Sequence, residues 1–289
     1  MEKRLLCFGS LNIDYTYAVK NFVSAGETIK STGLQRNIGG KGLNQSVAFS
    51  KAGGTVFHAG KIGQDGLFLK DCLEKNGVNT SLLNIGDTPS GHAIIQVDEN
   101  GGNCIIIYGG ANIEITDEYV DCVFENFESG DVLLIQNEIN NLDYIVKTAK
   151  TKKMVVALNP SPVEGIKLPF ELIDYFILNE HEAEAIFGET EPEKMIDKML
   201  TAYPDAKFVL TLGADGAMYA DSEYRVSVPA ERVCAVDTTA AGDTFTGYFL
   251  HSVMCGRCPE DAMKIASKAA AITVSRHGAA ESIPLHTEL

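Results

Sequence analysis

Short apolar runs bounded by glycine and polar residues recur along this chain, and stretches of helical period lie between most of them. Leu5 to Gly9, Thr55 to Ala59, Val132 to Ile135, Met154 to Leu158, Tyr175 to Leu178 and Phe208 to Leu212 have the length and continuity of buried strands. Apolar residues recur every three to four positions in Leu43 to Ala52, Leu67 to Lys75, Leu142 to Lys152, Glu182 to Phe187, Pro192 to Ala202, the stretch after Asp243, and Asp261 to Val274. Strands alternating with helices predict a three-layer α/β fold: a doubly wound, mostly parallel sheet with helices on both faces. In such sheets ligands bind beyond the carboxyl ends of the strands. Asn12, Glu138, Asn159, Asn179 and Gly213 fall at expected strand ends, so they can share one rim.

The alternation is interrupted twice. Tyr15 to Phe22 and Glu27 to Arg36 alternate like half-buried strands. Gly91 to Val97 and Asn103 to Tyr108 flank an Asn-Gly turn at 100–101, a strong hairpin signal. These segments, at about 15–36 and 91–110, predict a small second sheet inserted into one domain spanning 1–289. Ser81 to Ile85, Ala217 to Ala220 and Tyr224 to Val228 complete the expected strands.

Composition narrows the function classes. Apolar content of 45% and charged content of 22% are those of an ordinary globular protein. Acidic residues outnumber basic ones by 39 to 24, a net charge of −15 that argues against nucleic-acid and anionic-membrane partners. An anionic substrate therefore needs a local positive site. No apolar run has transmembrane length, and Leu5 to Phe8 is too short for a signal-peptide core. Seven cysteines, an odd number, sit mostly within apolar elements (Cys7, Cys72, Cys104, Cys122, Cys234) and suit free thiols in a reducing cytoplasm. Cys255 and Cys258 form a C-x-x-C with no second pair at zinc spacing.

Candidate chemistry concentrates in three places. On an extended segment Asn12 and Asp14 share a face and can hydrogen-bond a polyol. Residues 39–45, GGKGLNQ, form a glycine-rich ligand loop before a helix. They match neither a Walker A loop, since Gly42 follows Lys41, nor a dinucleotide fingerprint, since Gln45 stands at the third glycine. Residues 237–247, DTTAAGDTFTG, place small Ala240, Ala241 and Gly242 at a helix start, where bare N–H groups can hold an anion. Asp243 in that first turn can take a proton from an attacking hydroxyl, although Gly-Asp alone is also an ordinary cap.

The 237–247 stretch, with GGKGLNQ, resembles the ribokinase (PfkB-type) sugar kinase family from Gly9 to Pro284. The resemblance implies ATP-dependent phosphorylation of a sugar's primary hydroxyl, with D-ribose as the favoured acceptor and a nucleoside, pseudouridine or another sugar as alternatives. A catalytically silent sugar- or nucleotide-binding regulator is the reading from a different class. By resemblance, Asp243 is the base and Ala240, Ala241 and Gly242 form the anion hole. Asn12, Asp14, Gly40, Lys41, Asn44 and Glu138 hold the sugar. Asn179, Thr211, Gly213, Gly216, Gly242 and Lys268, with Ala269, face ATP. Glu182 serves Mg2+ through water, although N-x-x-E at 179–182 is by itself a helix-capping pattern. Asp237, Thr239, Thr273, Arg276, Gly278 and Ser282 match a monovalent-cation (K+) site, several through backbone carbonyls. The family's small sheet implies a lid and a homodimer surface.

Overall fold

A computed structural model describes residues 3–289. In chain order its strands are β1 (Leu5–Phe8), β2 (Asn12–Ala18), β3 (Gly33–Gly39), β4 (Val56–Gly63), β5 (Leu83–Gly86), β6 (Gly91–Val97), β7 (Asn103–Tyr108), β8 (Val132–Gln136), β9 (Val155–Asn159), β10 (Tyr175–Asn179), β11 (Lys207–Thr211), β12 (Ala217–Ala220) and β13 (Arg225–Val228). The helices are α1 (Lys41–Lys51), α2 (Leu67–Lys75), α3 (Asp117–Phe124), α4 (Leu142–Thr151), α5 (Glu180–Phe187), α6 (Pro192–Ala202), α7 (Ala241–Met254) and α8 (Pro259–Val274).

Nine strands form the main sheet in the order β13-β12-β11-β10-β9-β8-β1-β4-β5. From β11 to β5 neighbours run parallel, and β12 and β13 close one edge antiparallel. Strand residues alternate between two cores. Leu5, Cys7, Leu134, Ala157, Ile177 and Val209 pack with α1, α2, α7 and α8. Leu6, Phe8, Leu133, Ile135, Phe176 and Phe208 pack with α3 to α6. Both faces are covered, so the strands read as unbroken apolar runs rather than as alternation.

The second sheet has four strands in the order β3-β2-β6-β7. It occupies the predicted insertions, with two corrections. Its first strand is Asn12–Ala18 rather than Tyr15 to Phe22, and the next is Gly33–Gly39 rather than Glu27 to Arg36. Asn12 and Asp14 therefore belong to the small sheet itself, not to the end of β1. All of β7 is exposed, and Ile105, Ile106 and Ile107 are 50%, 61% and 62% accessible.

Helix α3 was not anticipated, yet Thr116 caps it by accepting the Tyr119 N–H, and Val120, Val123 and Phe124 form its buried stripe. All seven cysteines are free, as expected, but Cys104, Cys122 and Cys234 are exposed, unlike the buried Cys7 and Cys72. Among the described residues no helix is long and apolar enough to cross a membrane.

Candidate active site

Helix α7 begins at Ala241 after Ala240, which adopts the left-handed conformation at φ 61°. No side chain caps this helix. The Ala241 N–H turns back to the Thr238 carbonyl (3.3 Å) and the Thr244 N–H reaches Ala240 O (2.8 Å). The N–H groups of Gly242 and Asp243 are left for an outside acceptor, at the end of the helix where partial positive charge collects. Of the amides in the expected anion hole of residues 240–243, only that of Ala241 is thus engaged within the chain. A methyl group placed on Gly242 would meet nothing within 4 Å, so the approach is open.

Asp243 is buried at 8% accessibility, and its carboxylate is held from both sides. Asn44 Nδ2 donates to Oδ2 (3.0 Å) and Gln45 Nε2 donates to Oδ1 (2.9 Å). Both donors ride on the first turns of α1, which packs directly on α7. That contact needs glycine: a methyl on Gly247 would lie 2.5 Å from Ala48 Cβ and 2.6 Å from Phe49 N. The α1 N-terminus depends on glycine too. Gly40 sits at φ 98°, and a Cβ on Gly42 would fall 2.5 Å from Ser10 N and 2.6 Å from Gly9 C.

The predicted sugar ligands do converge. Glu138 Oε2 accepts the Lys41 N–H (3.2 Å) and the Ser10 hydroxyl. Burial raises the Glu138 pKa above the ordinary carboxylate range, against the opposing pull of Lys41 and Ser10. Burial also pushes Asp14 up to about 6, and the neighbouring Glu138 charge adds to the shift. Burial works against the Lys41 ammonium, yet the carboxylates of Asp243, Glu138 and Glu182 outweigh it and hold its pKa above the usual lysine value. Lys41 is thus the local cation that the acidic composition demanded. Asn12 is fixed by Asn112, whose Nδ2 donates to Asn12 Oδ1 (2.8 Å). Asn44 Oδ1 is buried without a partner, an acceptor suited to a sugar hydroxyl.

From Lys41 and Asp243 a polar cleft runs past Asn159, Asn179, Glu182 and Thr211 to Gly242. It shares Asn179, Thr211, Thr238, Ala241 and Gly242 with a larger hollow of about 800 Å³. Gly213, Gly216, Arg232 and Val233 line one side of that hollow, and Ser267, Ala270, Ala271 and Val274 of α8 the other. A nucleotide laid along this path would have its base in the mostly apolar hollow and its terminal phosphate at Gly242. Lys268, expected here, is exposed and does not line the hollow. It stands on α8 about 100° around from Ser267, off the face that Ala270, Ala271 and Val274 share.

Glu182 is buried, and its Oε2 accepts the Asn179 N–H (3.0 Å) while Asn179 Oδ1 accepts the Glu182 N–H (2.9 Å). This is a capping box, the plainer of the two readings of that motif, but it also fixes the carboxylate at the cleft wall. One oxygen is engaged by the cap, which suits an outer-sphere role toward a hydrated magnesium ion rather than a full set of ligands. Among the described residues no group of three or more His, Cys, Asp or Glu side chains could hold a metal unaided.

Around the expected cation loop, Asp237 Oδ1 accepts the Thr239 N–H (2.9 Å) and Oδ2 accepts the Gly278 N–H (3.1 Å). Burial opposes these bonds, but together they hold the Asp237 pKa below the usual carboxylate value. The side chains of Thr273, Arg276 and Ser282 are engaged elsewhere, with Ala269 O, Glu288 and Ala279 O. Any cation there would rest on Asp237 and main-chain carbonyls.

Sequence reasoning missed Ser10, Asn112, Gln136 and the role of Gln45. Ser10 and Asn112 adjoin recognised motifs. The two glutamines meet only in the folded chain.

The model of the pfkB family carbohydrate kinases matches residues 2–286. The chain is 36% identical to the ribokinase of Bacillus subtilis, over 99% of this chain and 98% of that protein. It is 33% identical to the ribokinase of Haemophilus influenzae, over 100% and 97%. Among solved structures, Thermotoga maritima ribokinase superposes with a TM-score of 0.90 at 35% identity, covering 100% of this chain and 98% of that one. Arabidopsis thaliana ribokinase complexed with ribose and ATP does so with a TM-score of 0.89 at 27% identity, covering 99% and 97%.

Proposed function

Because this chain belongs to the pfkB family of carbohydrate kinases, and is thereby a phosphotransferase with an alcohol acceptor, we propose that it transfers the γ-phosphoryl group of ATP to the primary hydroxyl of D-ribose. The full-length likeness to ribokinases of several organisms supports ribose over a nucleoside. One observation carries the chemistry: a buried carboxylate, Asp243, shares the first turn of α7 with two unused N–H groups.

In this reading the sugar lies between Asn12 and Asp14 of β2 and Lys41, Asn44 and Glu138 of the main body. Charged acceptors facing its hydroxyls make the stronger class of hydrogen bond. Asp243 accepts the proton of the primary hydroxyl, which raises the oxygen's nucleophilicity as it attacks in line. The N–H groups of Gly242 and Asp243, with the Lys41 ammonium, meet the charge that spreads over the phosphoryl oxygens. Asn179 and Glu182 would hold hydrated Mg2+, which when bound neutralises phosphate charge. Asp237, Thr239 and Gly278 support K+ as an activator: a cation there would tie down the loop that leads into Ala240. Exposed apolar β7 supports a homodimer joined through the small sheet, since an edge strand with isoleucine on both faces calls for cover. A cytoplasmic location fits the free thiols.

The decisive test is Asp243→Asn. Ribose binding by calorimetry should persist while ADP release falls by at least ~10². Near-normal turnover would remove Asp243 from the mechanism.

A further inference from the structure

Gln45 and Gln136 are fully buried amides, 0% accessible, that neither line the cleft nor cap an element. Burying two amides among apolar neighbours is costly unless their hydrogen bonds are directed. Those of Gln45 are, although Gln136 Oε1 is buried without a partner. Gln136 Nε2 donates to Gln45 Oε1 (2.6 Å), so the amino group of Gln45 must point the other way. That amino group has two hydrogens and two acceptors, Asp243 Oδ1 (2.9 Å) and Asn159 Oδ1 (3.0 Å). Asn159 is itself fixed by donating to Ile177 O (3.0 Å). A flipped Gln45 would set its oxygen against two acceptor oxygens and waste the Gln136 donor.

We propose that Gln45 is a positioning residue for Asp243, locked in one amide orientation by Gln136 and Asn159. By gripping Oδ1 it holds the other carboxylate oxygen toward the substrate hydroxyl. The proposal rests on the reading of Asp243 as general base. Asn44 also grips Asp243, but its orphaned Oδ1 commits it to the sugar as well. Gln45 touches no part of the substrate path and is the grip that stays constant through turnover. The other charged or titratable groups around Asp243 are Lys41 of α1, Glu138 beyond β8, Glu182 of α5 and Cys7 of β1. Burial pushes the Cys7 thiol up to about 11, so it stays neutral across the working range.

The test is the pH profile of kcat at saturating ribose for Gln45→Met and Gln45→Glu, with Asp243→Asn beside them. Removing a hydrogen bond to the ionised form raises a carboxyl pKa, and placing a second carboxyl against it raises it further. Gln45→Met should therefore move the acidic limb up, and Gln45→Glu should move it further. At the plateau Gln45→Met should lose about tenfold or more in kcat through misalignment, with the ribose KM within about threefold of wild type. ADP binding by calorimetry verifies the fold. An unmoved acidic limb in both variants would overturn the proposal, even if kcat fell. If Gln45→Met does not fold, Gln136→Met decides the matter: the unlocked Gln45 should give a smaller shift of the same sign, and no shift refutes the idea. Should Asp243→Asn turn over normally, the base reading itself fails. Should Asp243→Asn be inactive while the limb stays put, only the Gln45 role fails.

Discussion

Gly242→Ala separates the foldedness of this protein from its chemistry. The added methyl meets no atom within 4 Å, so it strains nothing in the ligand-free protein. Gly242 lies inside the first turn of α7, and alanine favours a helix by up to about 1 kcal/mol over glycine. For a chain of this size that corresponds to a gain of about 2 °C in Tm at most. The same methyl occupies the space through which, in the proposed mechanism, a phosphate reaches the Gly242 and Asp243 amides. Losing one such donor commonly costs about 10²–10³ in kcat. Scanning calorimetry should show an unchanged or raised Tm, and ADP release with ribose should fall by about 10². Full activity in a well-folded Gly242→Ala would mean that the phosphate docks elsewhere.

The same substitution five positions later should do the opposite. Gly247→Ala drives a methyl to 2.5 Å from Ala48 Cβ and 2.6 Å from Phe49 N, and overpacking toward the upper end of about 1–3 kcal/mol outweighs the helix gain, so thermal denaturation should show Tm lowered by up to about 4 °C. Ribose binding should weaken as pH falls through about 6, because protonating Asp14 removes an acceptor for a sugar hydroxyl; an apparent KM for ribose that is flat from pH 5 to 8 would contradict this. Phosphorylation should run faster in potassium than in sodium buffer, and equal rates would discard the cation at Asp237.

The main sheet was legible because its strands are buried on both faces and its helices carry a regular apolar period. The small sheet was legible as an insertion but misplaced in register. Its strands are half exposed, so Asn12 and Asp14 looked like the tail of β1 when they open β2. The shorter helix α3 went unread although Thr116, Asp117 and Glu118 mark its start. At the site, Lys41, Asn44, Gly242 and Asp243 lie within compact motifs, and it was the likeness of those motifs to a known family that singled them out. Gln45 and Gln136 were not: 91 positions separate them in sequence, and their meaning lies in a single contact. Lys268 fails for the reverse reason, since a position one step off a helical stripe points out to solvent.

In the proposed reading the grip on the sugar straddles a seam. Asn12 and Asp14 hang from the small sheet, whereas Asn44 of α1, Glu138 after β8 and Asp243 of α7 belong to the main body. A pentose that satisfied both sides would work as a stitch, drawing cover to body just where bulk water would otherwise compete for the phosphate. Selectivity for the acceptor and protection of ATP from futile hydrolysis would then be one property, enforced by the same contacts.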